Sequence, residues 1–339
     1  MIYTIYIKPT NRCNLKCDHC FNEIMQNHDD IDDRTLERSI QWINNFIDSH
    51  PNDDIDCQLH GGEPCLYSID KLNGVVDRVN NRARWSITTN LVYQLTDKHI
   101  ELFKRMQPYH NNDDIVIQTS WDHSIRFKSP KQQALWEDNV RTLIDQGITV
   151  QPTVCITSYI INSVSPADLF DYMIALGVTQ INFERLTNTG RAVGQIAIID
   201  KQQYNLIPTN KQTDQWLFDA YKTSKLPKYQ HITIPIFQGV EQSIKGELLG
   251  CRARKCMQTV YTINPDGSIG GCPNTACYAP NNVNTIQWVE NKLIKKEQIQ
   301  QISCLSCQYY QYCNGECFQL KHDDTGCPGM KSIYQYLLG

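Results

Sequence analysis

Residues 13–20 of this 339-residue chain read CNLKCDHC. Three thiols at that spacing can close a disulfide, hold zinc or ligate an iron–sulfur cluster. A larger group lies toward the other end, where nine of the fifteen cysteines fall between Cys251 and Cys327. Polar residues suited to serve such sites recur between the two: HGGEP at 60–64, SITTN at 86–90, TSWD at 119–122 and FER at 183–185.

Bulk chemistry narrows the three options. A net charge of −4 gives no electrostatic case for nucleic acid or an anionic membrane surface as partner. The longest apolar runs are strand-sized, short of the roughly 20 residues of a membrane span. The N-terminus lacks the basic flank and apolar segment of a secretory signal. A soluble, cytoplasmic protein is therefore expected, and in that compartment the cysteines do not form a disulfide framework.

The elements that must position these groups alternate. Strands are expected at 4–10, 54–60, 84–90, 114–122, 150–157 and 180–186, with helices at 35–47, 69–80, 97–106, 132–147 and 165–177. In the first helix Leu36, Ile40, Ile43 and Ile47 share one stripe, and Gly147 and Gly177 close two others as left-handed caps. Six βα repeats predict a parallel sheet with right-handed crossovers, curled into part of a barrel. In such a barrel chemistry sits at the C-terminal strand ends, and CNLKCDHC follows the first strand. The rhythm stops after residue 186. The expected organisation is a barrel over 1–190, a connector over 191–250 with one helix near 214–222, and a cysteine-rich domain over 251–339.

Placed after that strand, CNLKCDHC resembles the CxxxCxxC signature of the radical S-adenosylmethionine (SAM) superfamily. The resemblance implies an α/β fold, a partial (β/α)6 TIM-like barrel. It implies that Cys13, Cys17 and Cys20 hold three irons of a [4Fe–4S] cluster, the fourth chelating SAM, which is cleaved to a 5′-deoxyadenosyl radical. His19 stands where the family usually has Tyr or Phe, and an imidazole can also stack on adenine. HGGEP resembles the family's GGEP motif: Gly61 and Gly62 would admit the methionyl end of SAM, Glu63 would accept from its amino group, and Pro64 completes the motif. Thr88, Thr89, Asn90, Ser120 and Asp122 would reach its ribose and carboxylate.

The C-terminal cysteines resemble the SPASM extension found in one subgroup of that superfamily. Cys256 precedes Gly267 and Cys272; then come Cys304, Cys307, Cys313, Cys317 and Cys327, with Cys251 upstream. By resemblance, Cys251, Cys256, Cys272 and Cys317 hold auxiliary cluster I, and Cys304, Cys307, Cys313 and Cys327 hold auxiliary cluster II. Three [4Fe–4S] clusters and SAM are the implied cofactors. A pair of zinc ribbons would show two CxxC pairs, and this segment has one. YTINPDGSIGGC (261–272) reads as a hairpin turning at Pro265-Asp266-Gly267. Of the other cysteines, Cys57 and Cys155 read as core packing, Cys65 and Cys277 as loop residues near the two cysteine groups.

SPASM enzymes mostly modify peptides or proteins. The resemblance implies hydrogen abstraction from the side chain of a peptide or exposed protein segment, leaving a crosslink or oxidation two hydrogens lighter. The partners implied are that substrate and an electron donor of the flavodoxin or ferredoxin type. Asp122, Glu184 and His60 are the candidate bases for the accompanying proton. Pro273 stands where sulfatase-maturating enzymes carry an Asp, which weighs against formylglycine formation. The chain opens on the first barrel strand, so a leader peptide is expected to need a separate protein or the barrel and connector themselves. The rivals are a radical SAM dehydrogenase of a sugar or aminoglycoside and a non-catalytic zinc module.

Overall fold

The computed structural model describes residues 1–22, 29–106, 117–122, 124–187, 192, 196–199, 202–253, 256–276, 302, 304–317 and 319–339. Positions 114–116 of the fourth expected strand, Cys277 and parts of the connector lie outside these. Six strands follow in chain order: β1 Ile2–Ile7, β2 Asp54–Leu59, β3 Ala83–Thr89, β4 Ile117–Trp121, β5 Val150–Ile156 and β6 Asn182–Arg185. All are parallel to their neighbours, with Ile5 opposite Cys57, Trp121 opposite Val154 and Cys155 opposite Glu184.

Parallel neighbours need long crossovers, and helices supply them: α1 Asp33–Ser49, α2 Ile69–Arg78, α3 Asp97–Met106, α4 Pro130–Asp145, α5 Ser158–Ser163 and α6 Pro166–Ala175. The stripe of α1 is the face it buries, Leu36, Ile40, Ile43 and Ile47, at about 1.5–3 kcal/mol for each side chain fully removed from water. Asp32 caps the same helix, accepting from the Thr35 N–H at 2.8 Å. Gly147 and Gly177 take φ of +74° and +82°. The residues after them bond back, Ile148 to the Leu143 carbonyl and Val178 to that of Met173, both at 3.0 Å, as in a Schellman cap.

The connector is more ordered than its sequence implies. It holds a hairpin, β7 Ile196–Ile199 with β8 Gln202–Asn205, and two helices, α7 Asn210–Ser224 and α8 Pro235–Ile244, where one was expected. Gly239 interrupts the apolar pattern of α8, and Pro235, easily read as a breaker, occupies the first turn, where a missing N–H costs nothing. The expected C-terminal hairpin forms as β9 Val260–Ile263 and β10 Ile269–Gly270, with Gly267 at φ +81° in the turn. Strand β9 lies parallel to β1, Thr4 opposite Val260. The cysteine-rich end thus extends the barrel's own sheet, in the order β10-β9-β1-β2-β3-β4-β5-β6.

A parallel sheet covered on both faces would be apolar throughout. Here Ile55, Cys57, Trp85, Ile87 and Ile117 are buried on one face, while the alternate positions are polar. Arg84 Nε meets Asp56 at 2.6 Å. Gln58 Nε2 donates to Thr88 Oγ1 at 2.7 Å and to Gln118 Oε1 at 2.8 Å. This is a partial barrel with a polar lumen. No helix among the described residues is long and apolar enough to cross a membrane.

Candidate metal and cofactor site

The cysteine loop after β1 is held by backbone contact with the HGGEP loop after β2. The N–H of Gly62 donates to Thr10 O at 3.0 Å and that of Glu63 to Arg12 O at 2.7 Å. A Cβ at Gly61 would lie 2.5 Å from Thr10 O, and one at Gly62 would overlap the Arg12 carbonyl. What the two glycines admit here is therefore the neighbouring loop. Arg12 locks the loop from its other side, with Nε and Nη2 on the Asp30 carboxylate at 2.7 and 2.8 Å.

Two cysteine sulfurs in this loop receive donors from distant strand ends. Asn90, after β3, places Nδ2 3.7 Å from Cys13 Sγ, and Arg126, beyond β4, places Nη1 3.4 Å from Cys17 Sγ. Burial pushes the Cys13 thiol up to about 11, and the neighbouring charges of Cys17 and Cys20 push the same way. Burial likewise raises Cys17. Thiols that oppose one another's ionisation this way become thiolates together only around a cation, with release of protons. The residues present fit an iron site.

Zinc fits less well. Four thiolates around one zinc stand roughly 3.8 Å apart, given Zn–S of about 2.3 Å. Among the described residues, the one group of three ligand types within 4.8 Å is His19, Asp122 and Cys155, and Asp122 there is already committed. Its Oδ2 accepts from Arg126 Nε at 2.9 Å and lies 3.2 Å from His19 Nε2, while Oδ1 accepts the Cys155 N–H at 2.9 Å.

The structure revises several expected roles. Glu63 is wholly buried: Oε1 accepts from Thr89 Oγ1 at 2.7 Å and from the Cys65 N–H at 3.0 Å, and Oε2 from the Asn90 N–H at 2.6 Å. It clamps the ends of β2 and β3. His19 is buried against Asp122 and Arg126. Thr88 and Thr89 cannot both face the lumen, because neighbours in a strand point to opposite faces; Thr88 joins the lumen ladder and Thr89 turns to Glu63. Cys155 is a lumen residue beside Asp122, its neighbours Val154 and Ile156 being the core-facing ones. Cys57 is core, as expected. Ser120 is half-buried on β4.

The candidate bases separate. Burial opposes ionisation of Asp122, but the charges of His19 and Arg126 override it and hold the carboxyl below its usual range. Burial and the Lys8 charge pull His60 down to about 3; its Nδ1 accepts the Gly61 N–H at 2.8 Å. Glu184 differs. It is accessible yet walled by protein, lining a cavity of about 500 Å³ with Asn182, Arg185, Cys251, Arg252 and Cys317, and burial raises its carboxyl while Arg185 opposes the rise.

The C-terminal thiols converge in two places. A hydrogen bond donated to Cys317 and burial raise Cys251, and burial, Cys251 and Cys256 raise Cys272. Arg252, beside Cys251, has a buried Nη2 with no hydrogen-bond partner among the described residues. At the second place a Cβ on Gly329 would lie 3.1 Å from Cys313 Sγ and 3.7 Å from Cys327 Sγ, so only glycine leaves that cradle open. Both places fit iron–sulfur ligation. Sequence reasoning missed Lys8, fully buried with Nζ 2.9 Å from Asn22 Oδ1, Arg126, and the pairing of Glu316 with Arg185 and Arg252. A lysine ending an apolar strand and charges set among cysteines were the signals available.

The family model described as a 4Fe-4S single cluster domain matches residues 4–139. The radical SAM cyclopropyl synthase TigE of Paramaledivibacter caminithermalis is 24% identical over 343 residues, covering 93% of this chain and 68% of that protein. An uncharacterized protein of Methanocaldococcus jannaschii is 28% identical over 200 residues, 54% of this chain and 62% of the relative. The structure of anSMEcpe with bound AdoMet and Cp18Cys peptide superposes with a TM-score of 0.75 at 17% identity, covering 100% of this chain and 97% of the other. Streptococcus suis SuiB bound to its precursor peptide SuiA gives 0.59 at 14%, covering 94% and 72%.

Proposed function

We propose that the chain is a radical SAM enzyme of the SPASM subgroup of peptide and protein maturases, and that it removes two hydrogens from a peptide side chain to form a crosslink or other oxidised product. When bound, SAM and its cluster supply a 5′-deoxyadenosyl radical that takes one hydrogen atom, and two auxiliary clusters supply an acceptor for the second electron. Cys13, Cys17 and Cys20 would hold the first cluster; Cys251, Cys256, Cys272 and Cys317 the second; Cys304, Cys307, Cys313 and Cys327 the third. The carrying observation is that loop 11–20, pinned by Arg12 and Gly62, presents its thiols beside a polar lumen, with Asn90 and Arg126 donating to two sulfurs.

The remaining proton needs an acceptor within the lumen. Glu184 is the best placed of the three candidates, because it lines the cavity and burial raises its carboxyl above the usual carboxylate range. The cofactors thus number three [4Fe–4S] clusters and SAM, with an external flavodoxin- or ferredoxin-type protein as electron source. A peptide substrate is supported by the polar lumen of an open sheet, and by the peptides named with the structurally similar anSMEcpe and SuiB. The name of TigE is consistent with the hydrogen balance: closing a three-membered ring between two C–H carbons also removes two hydrogens.

Co-expression with small open reading frames beside the gene, followed by peptide mass spectrometry, tests this. The expected product is two mass units lighter, with one SAM consumed per event. Deuterium passing from a labelled sugar into 5′-deoxyadenosine, with no peptide altered, would transfer the assignment to a small-molecule dehydrogenase.

A further inference from the structure

Between the two C-terminal thiol sets the chain buries three charges. Glu316 is 2% exposed; Oε2 accepts from Arg185 Nη2 and Oε1 from Arg252 Nε, both at 2.8 Å. Each member is tied to a thiol set. Arg252 follows Cys251 in the chain, Glu316 precedes Cys317, and the Glu316 N–H donates to the Cys313 carbonyl at 3.0 Å. Arg185 Nη1 donates to Pro328 O at 2.6 Å, next to Cys327.

The backbone is forced to make this arrangement. Asn314, Gly315 and Glu316 have φ of +48°, +74° and +55° in succession. Glycine enters that region freely, but a glutamate there is strained. Asn314 Nδ2 holds the turn by donating to Arg252 O at 2.7 Å. Two arginines face Glu316 and, in the same cavity, Glu184, whose carboxyl burial raises against the pull of Arg185. With Glu184 protonated the group keeps a net positive charge, which is unfavourable unless negative charge lies beside it. Four thiolates around an oxidised [4Fe–4S] core carry about −2, and one such set would flank the group on each side.

We propose that Arg185, Glu316 and Arg252 form a shared counter-charge that sets the reduction potentials of both auxiliary clusters, with Arg252 Nη2 donating to sulfur in the Cys251 set. These are positioning residues, and the inference rests on the reading that both thiol sets bind clusters. It is tested on full-length protein reconstituted without oxygen, by redox titration followed by electron paramagnetic resonance, with iron counted on every sample.

Glu316→Gln removes a negative charge. It should favour the reduced form of both auxiliary clusters about tenfold, a one-electron shift of about 59 mV upward, leaving the N-terminal cluster unmoved. Arg252→Met should shift the same equilibria downward, most in the Cys251 set, while Arg252→Lys, keeping the charge, stays near wild type. Wild-type protein holding about four irons would refute the cluster reading itself. About twelve irons with unmoved potentials in Glu316→Gln and Arg252→Met would overturn this inference alone. If Glu316→Gln loses iron, the two Arg252 variants decide, and equal potentials in them would sink the proposal.

Discussion

The two cysteine regions are built on different principles. The N-terminal three lie within eight residues, and the barrel holds them from outside: Asn90 and Arg126 reach in from the ends of β3 and β4, and the Gly61-Gly62 backbone abuts their loop. Of the nine C-terminal cysteines, the eight proposed as ligands span residues 251–327 and are organised by charges within their own segment, joined to the barrel through Arg185 and the β9–β1 pairing. A short loop on a rigid scaffold keeps its geometry from the scaffold. A long irregular segment has to bury its own ties, and its geometry should depend on what it binds.

The largest effect should come from removing one region's ligands while sparing the other. Cys13, Cys17 and Cys20 replaced together by Ala should abolish 5′-deoxyadenosine formation while roughly two-thirds of the iron remains, as expected for three clusters of equal size. Replacing Cys304 and Cys307 should spare 5′-deoxyadenosine formation and lower iron by up to about a third. If the triple variant still cleaves SAM under reducing conditions, the N-terminal assignment is wrong.

A smaller contrast is steric. Gly62→Ala drives a Cβ into the Arg12 carbonyl, and should cost about 1–3 kcal/mol with selective loss of the N-terminal iron. Gly329→Ala meets Cys313 Sγ at 3.1 Å, and should perturb only the C-terminal spectrum, within about 1 kcal/mol. Denaturant midpoints and iron counts on both variants check this; equal loss from both thiol regions in Gly62→Ala would contradict it.

A further effect is a pH dependence centred on the barrel mouth. Folded His60 takes a proton only near pH 3, whereas the unfolded side chain takes one near 6.5. Stability should therefore fall as pH drops below 6.5, by about 2 kcal/mol at pH 5. Asp122, held below its usual range, keeps its contribution throughout that window and loses it only at more acid pH. Melting curves of His60→Gln should be flatter between pH 6.5 and 5; an unchanged slope would mean the proton goes elsewhere.

Much of this was legible in the chain because its rules are local. The α1 stripe, the glycine caps at Gly147 and Gly177, and the turn at Gly267 depend on residues a few positions apart. The cysteine spacings are likewise local patterns that can be read without a fold. What misled was grouping by adjacency: Thr88 beside Thr89, Cys155 within an apolar run, one helix in the connector. Strand alternation separates the first pair and turns Cys155 to the lumen, and Pro235 opens a second connector helix.

By itself, then, the sequence determined a βα-repeat chain with thiols at its first strand end and in two sets near its C-terminus. Tertiary structure alone decided which polar group serves which sulfur. Asn90 meets Cys13, and Arg126 meets Cys17 across more than a hundred residues, only because parallel register and curl bring the ends of β1, β3 and β4 to one rim. It also turned Glu63 inward as a clamp and paired Glu316 with two arginines. Such pairings depend on the summed geometry of every strand between the partners, and no local spacing encodes that sum.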